Sequence, residues 1–361
     1  MCFITNSLKR KTIMIYKRII SSVLCIGLMC VLCSCGQQSI EGTMQESETG
    51  LFAMDTYMSL KAYGSNGEAA LQKSSEKIKE LEAMLSVTSK ESEIFKINST
   101  GGTKTEISYE TSFLIKRSLE INNDTKGAFD ITLYPVTKEW GFTTGDYKVP
   151  SQERIDELLA KVGSDNVVLS EDGSSVSLIN GANIDLGGIA KGYAGSCAAD
   201  IIKNEGVKSA ILNMGGNVQT IGSKPDGSRW KVGIQDPCDS SKLVGTVEVA
   251  DKAVVTSGGY ERYFEDESGN VYWHILNPET GRPAVTDIVS VTIIGSDGTT
   301  CDALSTSLFV MGTQRVADYL KAYKDYDVVI VSNDNKLYIT EGIINDLKVS
   351  DSFSGYTLTV I

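Results

Sequence analysis

Positive charge is scarce in this chain: 34 Lys and Arg stand against 46 Asp and Glu, a net charge of −12. That balance excludes nucleic-acid binding driven by charge. Acidity favours solubility and says little about fold. Histidine is nearly missing, so His274, the only one, is the single imidazole available as a base of near-neutral pKa. Cysteine is scarce outside the first 35 residues. Cys2, Cys25, Cys30, Cys33 and Cys35 lie there, and only Cys197, Cys238 and Cys301 remain. These three are widely spaced, odd in number and include no CxxC pair. A zinc site or disulfide scaffold is therefore not expected, and the three are expected to be buried, inert thiols.

The first 35 residues read as an export signal. Lys9, Arg10, Lys11, Lys17 and Arg18 form a basic start with no acidic residue, and the apolar run Ile19 to Leu32 follows. That run is shorter than the roughly 20 residues that span a bilayer. It ends in Leu32-Cys33-Ser34-Cys35, with small residues before the last cysteine, the layout of a cleavable signal peptide. Leu-x-Ser-Cys resembles a bacterial lipobox, which implies a lipidated Cys35 as the first residue of the mature protein. Translation starts at Met1 or at Met14. Removing the leader takes the net charge from −12 to −17, since its five basic residues are unopposed.

The expected organisation is a signal peptide over 1–34, a lipidated flexible tether over 35–50 and a catalytic domain over 51–361. Residues 36–50 are polar apart from Ile40 and Met44, which suits a tether. The remainder shows no repeat and no Pro-rich or Ser-rich break, so it forms one large domain or two closely packed lobes. Alternation at Phe52, Met54, Met58 and Leu60 predicts a strand. Leu71, Ile78, Leu81 and Leu85 predict a helix over 67–85. Ser151 caps a helix carrying Ile155, Leu158, Leu159 and Val162, closed by Gly163. Val167–Ser170 and Ser174–Ile179 flank a hairpin turn at Glu171-Asp172-Gly173. Further helices are predicted over 190–205, 303–311 and 313–324. Further strands are predicted over 208–213, 230–235, 245–249, 288–294, 327–331 and 336–340. Helices and strands do not alternate regularly, so the fold is mixed and a doubly wound parallel sheet is not favoured.

Four segments are unlike ordinary core or surface. Gly127-Ala128-Phe129-Asp130-Ile131-Thr132 brings a small residue, an aromatic and an acid to a helix-to-strand junction; a turn with a satisfied Asp explains it as well. Asn183 to Ala194 runs through Asp185, Gly187, Gly188 and Lys191 into a helix. Glycines there let backbone approach a ligand, and a helix N-terminus favours phosphate, but a plain tight loop has the same pattern. Tyr272 to Pro283 carries His274 at the end of an apolar strand, before a Pro-Glu-Thr-Gly turn. It is a base or a structural histidine. In Cys301-Asp302-Ala303-Leu304-Ser305-Thr306, Asp302 and Thr306 share a helix face. Hard oxygen donors of that kind suit Mg²⁺, which also draws on substrate phosphates; the bland alternative is an N-capping Asp302 beside an exposed Thr306. Asn213-Met214-Gly215-Gly216-Asn217 and Thr256-Ser257-Gly258-Gly259 follow apolar strands, as turns or as walls of one cleft.

Taken in order, these segments resemble the ApbE family of FAD:protein FMN transferases, from about Phe52 to the last strands. The resemblance rests on Met54-Asp55-Thr56, Ala128-Phe129-Asp130, Asp185 to Gly192, Asn213 to Gly216, His274 to Gly281 and Asp302 to Thr306. It implies an α+β fold of mixed sheets with packed helices in a single catalytic domain. It implies Mg²⁺-dependent transfer of FMN from FAD to a Thr or Ser hydroxyl of an exported flavoprotein, with AMP leaving. Asp302, Thr306, the Gly188 carbonyl and Ser305 match the family's metal positions. Met54, Ala128, Phe129, Asp130, Asp185, Lys191 and Leu276 match positions that contact FAD, and His274 is expected to activate or orient the acceptor hydroxyl. Asp130 and Asp185 are expected to accept hydrogen bonds from ring or ribose groups. Alternatives are an Mg²⁺-dependent FAD pyrophosphatase and a non-catalytic FAD-binding lipoprotein.

Two places depart from the pattern. The family often carries an aromatic just beyond a Met-Ser pair, where this chain has Met84-Leu85-Ser86-Val87-Thr88. Asp351 to Thr357 loosely resembles the acceptor motif of flavinylated proteins. It is read as a terminal strand, with self-flavinylation of Thr357 as the alternative. The lipid on Cys35 places the protein at the cell membrane on its extracytoplasmic side, near acceptors that are themselves at the membrane.

Overall fold

The computed structural model describes residues 44–361. The signal peptide, Cys35 and the tether up to residue 43 lie outside the described residues. Residues 46–50, expected to be part of the tether, belong instead to a strand. Glu46-Ser47-Glu48-Thr49-Gly50 looks like linker by composition, but pairing with Tyr63 to Ser59 recruits it into the sheet. No helix among the described residues is long and apolar enough to cross a membrane.

A nine-stranded sheet organises the chain: β1 (Glu46–Ala53), β2 (Thr56–Tyr63), β3 (Ser209–Asn213), β4 (Asn217–Ile221), β5 (Ala253–Gly258), β6 (Ile288–Gly295), β7 (Asp327–Ser332), β8 (Lys336–Ile339) and β9 (Thr357–Val360). Spatial order follows chain order. Every neighbouring pair is antiparallel except β8 with β9. Among the described residues there are seven α-helices: α1 (Gly67–Leu85), α2 (Glu93–Ser99), α3 (Tyr109–Asp124), α4 (Tyr134–Glu139), α5 (Gln152–Leu159), α6 (Ala190–Asn204) and α7 (Gly298–Ala322). Ser92, Ser108 and Ser151 cap α2, α3 and α5, each hydroxyl accepting from the backbone N–H three residues on.

Both faces of the central strands are covered, which explains their nearly unbroken apolar sequence. Successive side chains of a strand point to opposite faces. Accordingly Val255, Ile293 and Ile330 pack with α1, α6 and α7, while Val254, Ile294 and Val331 pack with a three-stranded sheet, Trp230–Gln235, Leu243–Val249 and Leu347–Val349. A smaller core around Trp140, Phe142 and Leu276 lies under α4 and α5.

Two expectations change. Phe52 to Leu60 is a hairpin and not one strand. Met54 and Asp55 turn it with φ of 50° and 61°, the left-handed pair of a two-residue turn. Met-Asp lacks the Asn-Gly signature that would announce it. The helices expected over 303–311 and 313–324 do part at Gly312, whose φ of 76° is non-helical, but the first begins earlier than expected, at Gly298; the two are labelled together as α7. Cys197 and Cys301 are free thiols, as expected, and burial raises the pKa of both.

Candidate active site

One cleft of about 400 Å³ is lined by Met54, Ala128, Phe129, Asp130, Asp185, Gly188, Lys191, His274, Leu276, Asp302 and Thr306. Those eleven expected site residues come from five separate stretches of sequence. Ser305 does not join them. Its hydroxyl is fully buried, 2.7 Å from both the Asp302 carbonyl oxygen and the Ser257 hydroxyl. On a helix only every third or fourth residue shares a face, so Asp302 and Thr306 reach the cleft while Ser305 turns inward.

The floor is made by two similar turns. Asp130 Oδ1 accepts from the N–H of Thr132 at 2.8 Å, and Asp185 Oδ1 accepts from the N–H of Gly187 at 2.8 Å. Each turn leaves the second carboxylate oxygen for a ligand, and burial raises the pKa of both acids. The two loops interlock, since the Asp185 N–H donates to the Ile131 carbonyl at 2.9 Å. A Cβ at Gly188 would stand 2.9 Å from Phe129 Cε2, so a glycine is needed for the aromatic to pack there.

Asp302 is not an N-cap of its own helix. Asp297 caps α7, accepting from the Thr299 N–H at 3.0 Å, and Asp302 lies a turn inside. Its Oδ2 instead accepts from the Gly192 N–H at 2.8 Å, in the first turn of α6. That helix has no side-chain cap of its own at Ile189, so Asp302 satisfies one of its orphan amides. Burial raises the Asp302 pKa, opposed by Lys191 and by the Gly192 amide. One buried carboxylate, a threonine hydroxyl and a glycine carbonyl fit Mg²⁺, which commonly takes one or two carboxylates and completes its shell with phosphate and water. They do not make a self-contained cage: no group of three His, Cys, Asp or Glu suited to a metal occurs among the described residues.

His274 follows the strand Val271–Trp273 and faces the cleft. Its Nδ1 lies 3.2 Å from the Arg262 carbonyl. Burial, helped by the Arg262 and Lys191 charges, lowers its pKa to about 3. The ring is therefore neutral at physiological pH; with Nδ1–H donating to that carbonyl, Nε2 keeps its lone pair.

The cleft also holds residues that sequence reading missed. Glu261 and Arg262 line it. Burial, with repulsion from Asp302, raises the Glu261 pKa to about 7 against the attraction of Lys191 and Arg262. Arg262 reaches Asp55 at 3.9 Å. The signal was a charged pair one residue beyond Gly258-Gly259. Asn217 is 2% exposed, lines the cleft, and has neither amide atom hydrogen-bonded. Of the two glycine pairs, Gly215 and Gly216 form cleft wall and Gly258 and Gly259 do not. Leu85, Ser86, Val87 and Thr88 also line it, so an aliphatic side chain stands where the resemblance anticipates an aromatic.

Comparison with known proteins agrees with this geometry. Residues 54–330 match the ApbE family. A protein of Klebsiella pneumoniae named FAD:protein FMN transferase is 32% identical over 300 residues, 82% of this chain and 92% of its own. The crystal structure of the ApbE protein of Thermotoga maritima superposes with a TM-score of 0.75 and 35% identity, covering 86% of this chain and 99% of its own. The flavin transferase ApbE of Vibrio cholerae gives 0.72 and 27%, covering 87% of this chain and 99% of its own. The α+β class expected from the sequence is the class of these structures.

Proposed function

Because this chain belongs to the ApbE family and is a transferase, we propose that it moves FMN from FAD to a Thr or Ser hydroxyl of an exported flavoprotein and releases AMP. The observation that carries the reading is the charge in the cleft. Six carboxylates, Asp55, Glu82, Asp130, Asp185, Glu261 and Asp302, face two cations, Lys191 and Arg262. An anionic diphosphate enters such a site favourably only with a cation beside it. Asp302, Thr306 and the Gly188 carbonyl would hold Mg²⁺, whose bound charge neutralises the diphosphate oxygens.

The protein's own groups supply the rest. The N-terminus of α6 and Lys191 favour phosphate. The free oxygens of Asp130 and Asp185 accept from ring or ribose hydroxyls. Nε2 of His274, neutral, accepts a hydrogen bond from the acceptor hydroxyl and orients it as the new O–P bond forms, the bond to AMP breaks and the hydroxyl proton passes to water. Lipidation of Cys35 would hold the enzyme on the extracytoplasmic face of the membrane, close to acceptors there.

Purified protein incubated with FAD and Mg²⁺, with and without a peptide carrying a Thr acceptor, tests the reading. A covalent FMN mass gain on the peptide is expected, and Asp302→Ala should abolish it at saturating Mg²⁺. FMN and AMP without labelled peptide would point to a pyrophosphatase, and FAD intact in both tubes would sink the enzymatic reading. For the anchor, Cys35→Ser should move the protein from the membrane to the soluble fraction; unchanged partition refutes it.

A further inference from the structure

A second cavity, of about 440 Å³, lies beside the FAD cleft. α4 separates the two, and Tyr134 at its start lines both. Four cations, Lys138, Lys148, Arg154 and Lys161, line this cavity against only two carboxylates, Glu139 and Asp146. Glu139 is already engaged. Lys148 reaches it at 2.7 Å and Arg154 at 3.2 Å, and the Lys148 contact leads in holding its carboxyl below the usual range. Lys138 and Lys161 take part in none of the ion pairs among the described residues. Lys138 Nζ lies instead 6.0 Å over the Tyr134 ring. A surplus of positive charge thus sits in the wall of a strongly acidic protein.

We propose that this cavity is a docking subsite for an acidic segment of the protein acceptor, a proposal that rests on the FMN-transfer reading above. Its position carries the choice of occupant. The loop after α4 sends Phe142 and Thr143 into the FAD cleft and Thr144 and Asp146 into the basic cavity. The Phe142 ring is 6.4 Å from the His274 imidazole. A polypeptide presenting a hydroxyl to His274 and continuing past Phe142 would reach the cations. The residues that would meet the FAD diphosphate, Gly188, Lys191, Asp302 and Thr306, do not border the cavity, so FAD has no need of it. The net charge of the protein repels an acidic partner at long range. A local complementary patch fixes where and in what register such a partner lands.

Fluorescence anisotropy with two labelled peptides tests this without relying on turnover. One carries a central Thr flanked by aspartates, and the other replaces those aspartates with asparagines. The acidic peptide is expected to bind the wild-type protein about tenfold more tightly than the neutral one at low salt, and the gap should close as salt is raised. Lys138→Gln/Lys161→Gln should remove the preference while leaving FAD affinity, read by flavin fluorescence, unchanged. Both lysines are exposed, so folding is not at stake. Equal binding of the two peptides, or an unaltered preference in the double variant, overturns the proposal. A parallel loss of FAD affinity also overturns it, assigning the cavity to the nucleotide. If no peptide is flavinylated, the transferase reading fails while the binding result stands by itself.

Discussion

The Asp302 carboxylate caps the first turn of α6 through the Gly192 amide at 2.8 Å. The residue proposed to hold Mg²⁺ therefore also fixes the helix whose N-terminus is proposed to meet the substrate phosphates. α6 and α7 approach so closely that a Cβ on Gly192 would stand 2.2 Å from the Gly298 carbonyl oxygen and 2.6 Å from Asp302 Cβ.

That contact predicts the effect of Gly192→Ala. Overpacking of this kind costs about 1–3 kcal/mol, and turnover should fall more than about tenfold because Asp302 is pushed from its place. Gly195→Ala on the same helix is the control. Its Cβ would meet only Met214 Cγ at 3.7 Å, an ordinary contact, and it should stabilise by about 0.5–1 kcal/mol. Urea melts with activity assays compare the two; equal behaviour refutes the packing account.

His274 predicts a pH-dependent stability. Its pKa falls from 6.5 to about 3 on folding, so between those values the unfolded chain binds the extra proton. The site's contribution is complete above pH 6.5 and is lost as pH falls toward 3. His274→Asn should therefore gain on the wild type between pH 7.5 and pH 4.5. A stability difference equal at both pH values would contradict the neutral, desolvated imidazole.

Glu261 has the opposite sign. Its pKa rises from 4.5 to about 7, so its contribution is whole below pH 4.5 and is lost as pH rises through 7. Glu261→Gln should melt higher than the wild type at pH 8 and show a smaller gain, or none, at pH 4. A uniform shift across that range would show that Glu261 does not carry its proton near neutrality.

Asn217 should trade stability against binding. Two buried amide atoms without partners cost the folded protein on the order of 1–3 kcal/mol. Asn217→Leu, of similar shape, should therefore raise the melting temperature while weakening FAD binding at least about tenfold. A variant that melts higher and binds FAD as the wild type does would mean the amide has no ligand role.

Much of this site was legible in the sequence because it is written in short local codes. Asp130 and Asp185 each bond an amide two residues on, and the helix over 67–85 needs only its own apolar periodicity. Eleven of twelve expected cleft residues line one cleft. What escaped was set by partners far along the chain. Residues 46–50 look like linker until β2 pairs with them. The family resemblance groups Ser305 with Asp302 and Thr306, yet the helix turns it toward Ser257.

By itself, then, the sequence determined the mixed class of the fold, its main elements, the single imidazole and the stretches that carry chemistry, since composition, periodicity and turn residues act over a few positions. Only the tertiary structure decided which atoms meet. The Asp302–Gly192 bond spans 110 residues. The shifts of His274 and Glu261 come from burial that no neighbouring residue reports. The basic cavity exists because α4, α5 and two loops converge. Charge and desolvation depend on distance in space, and folding alone sets that distance.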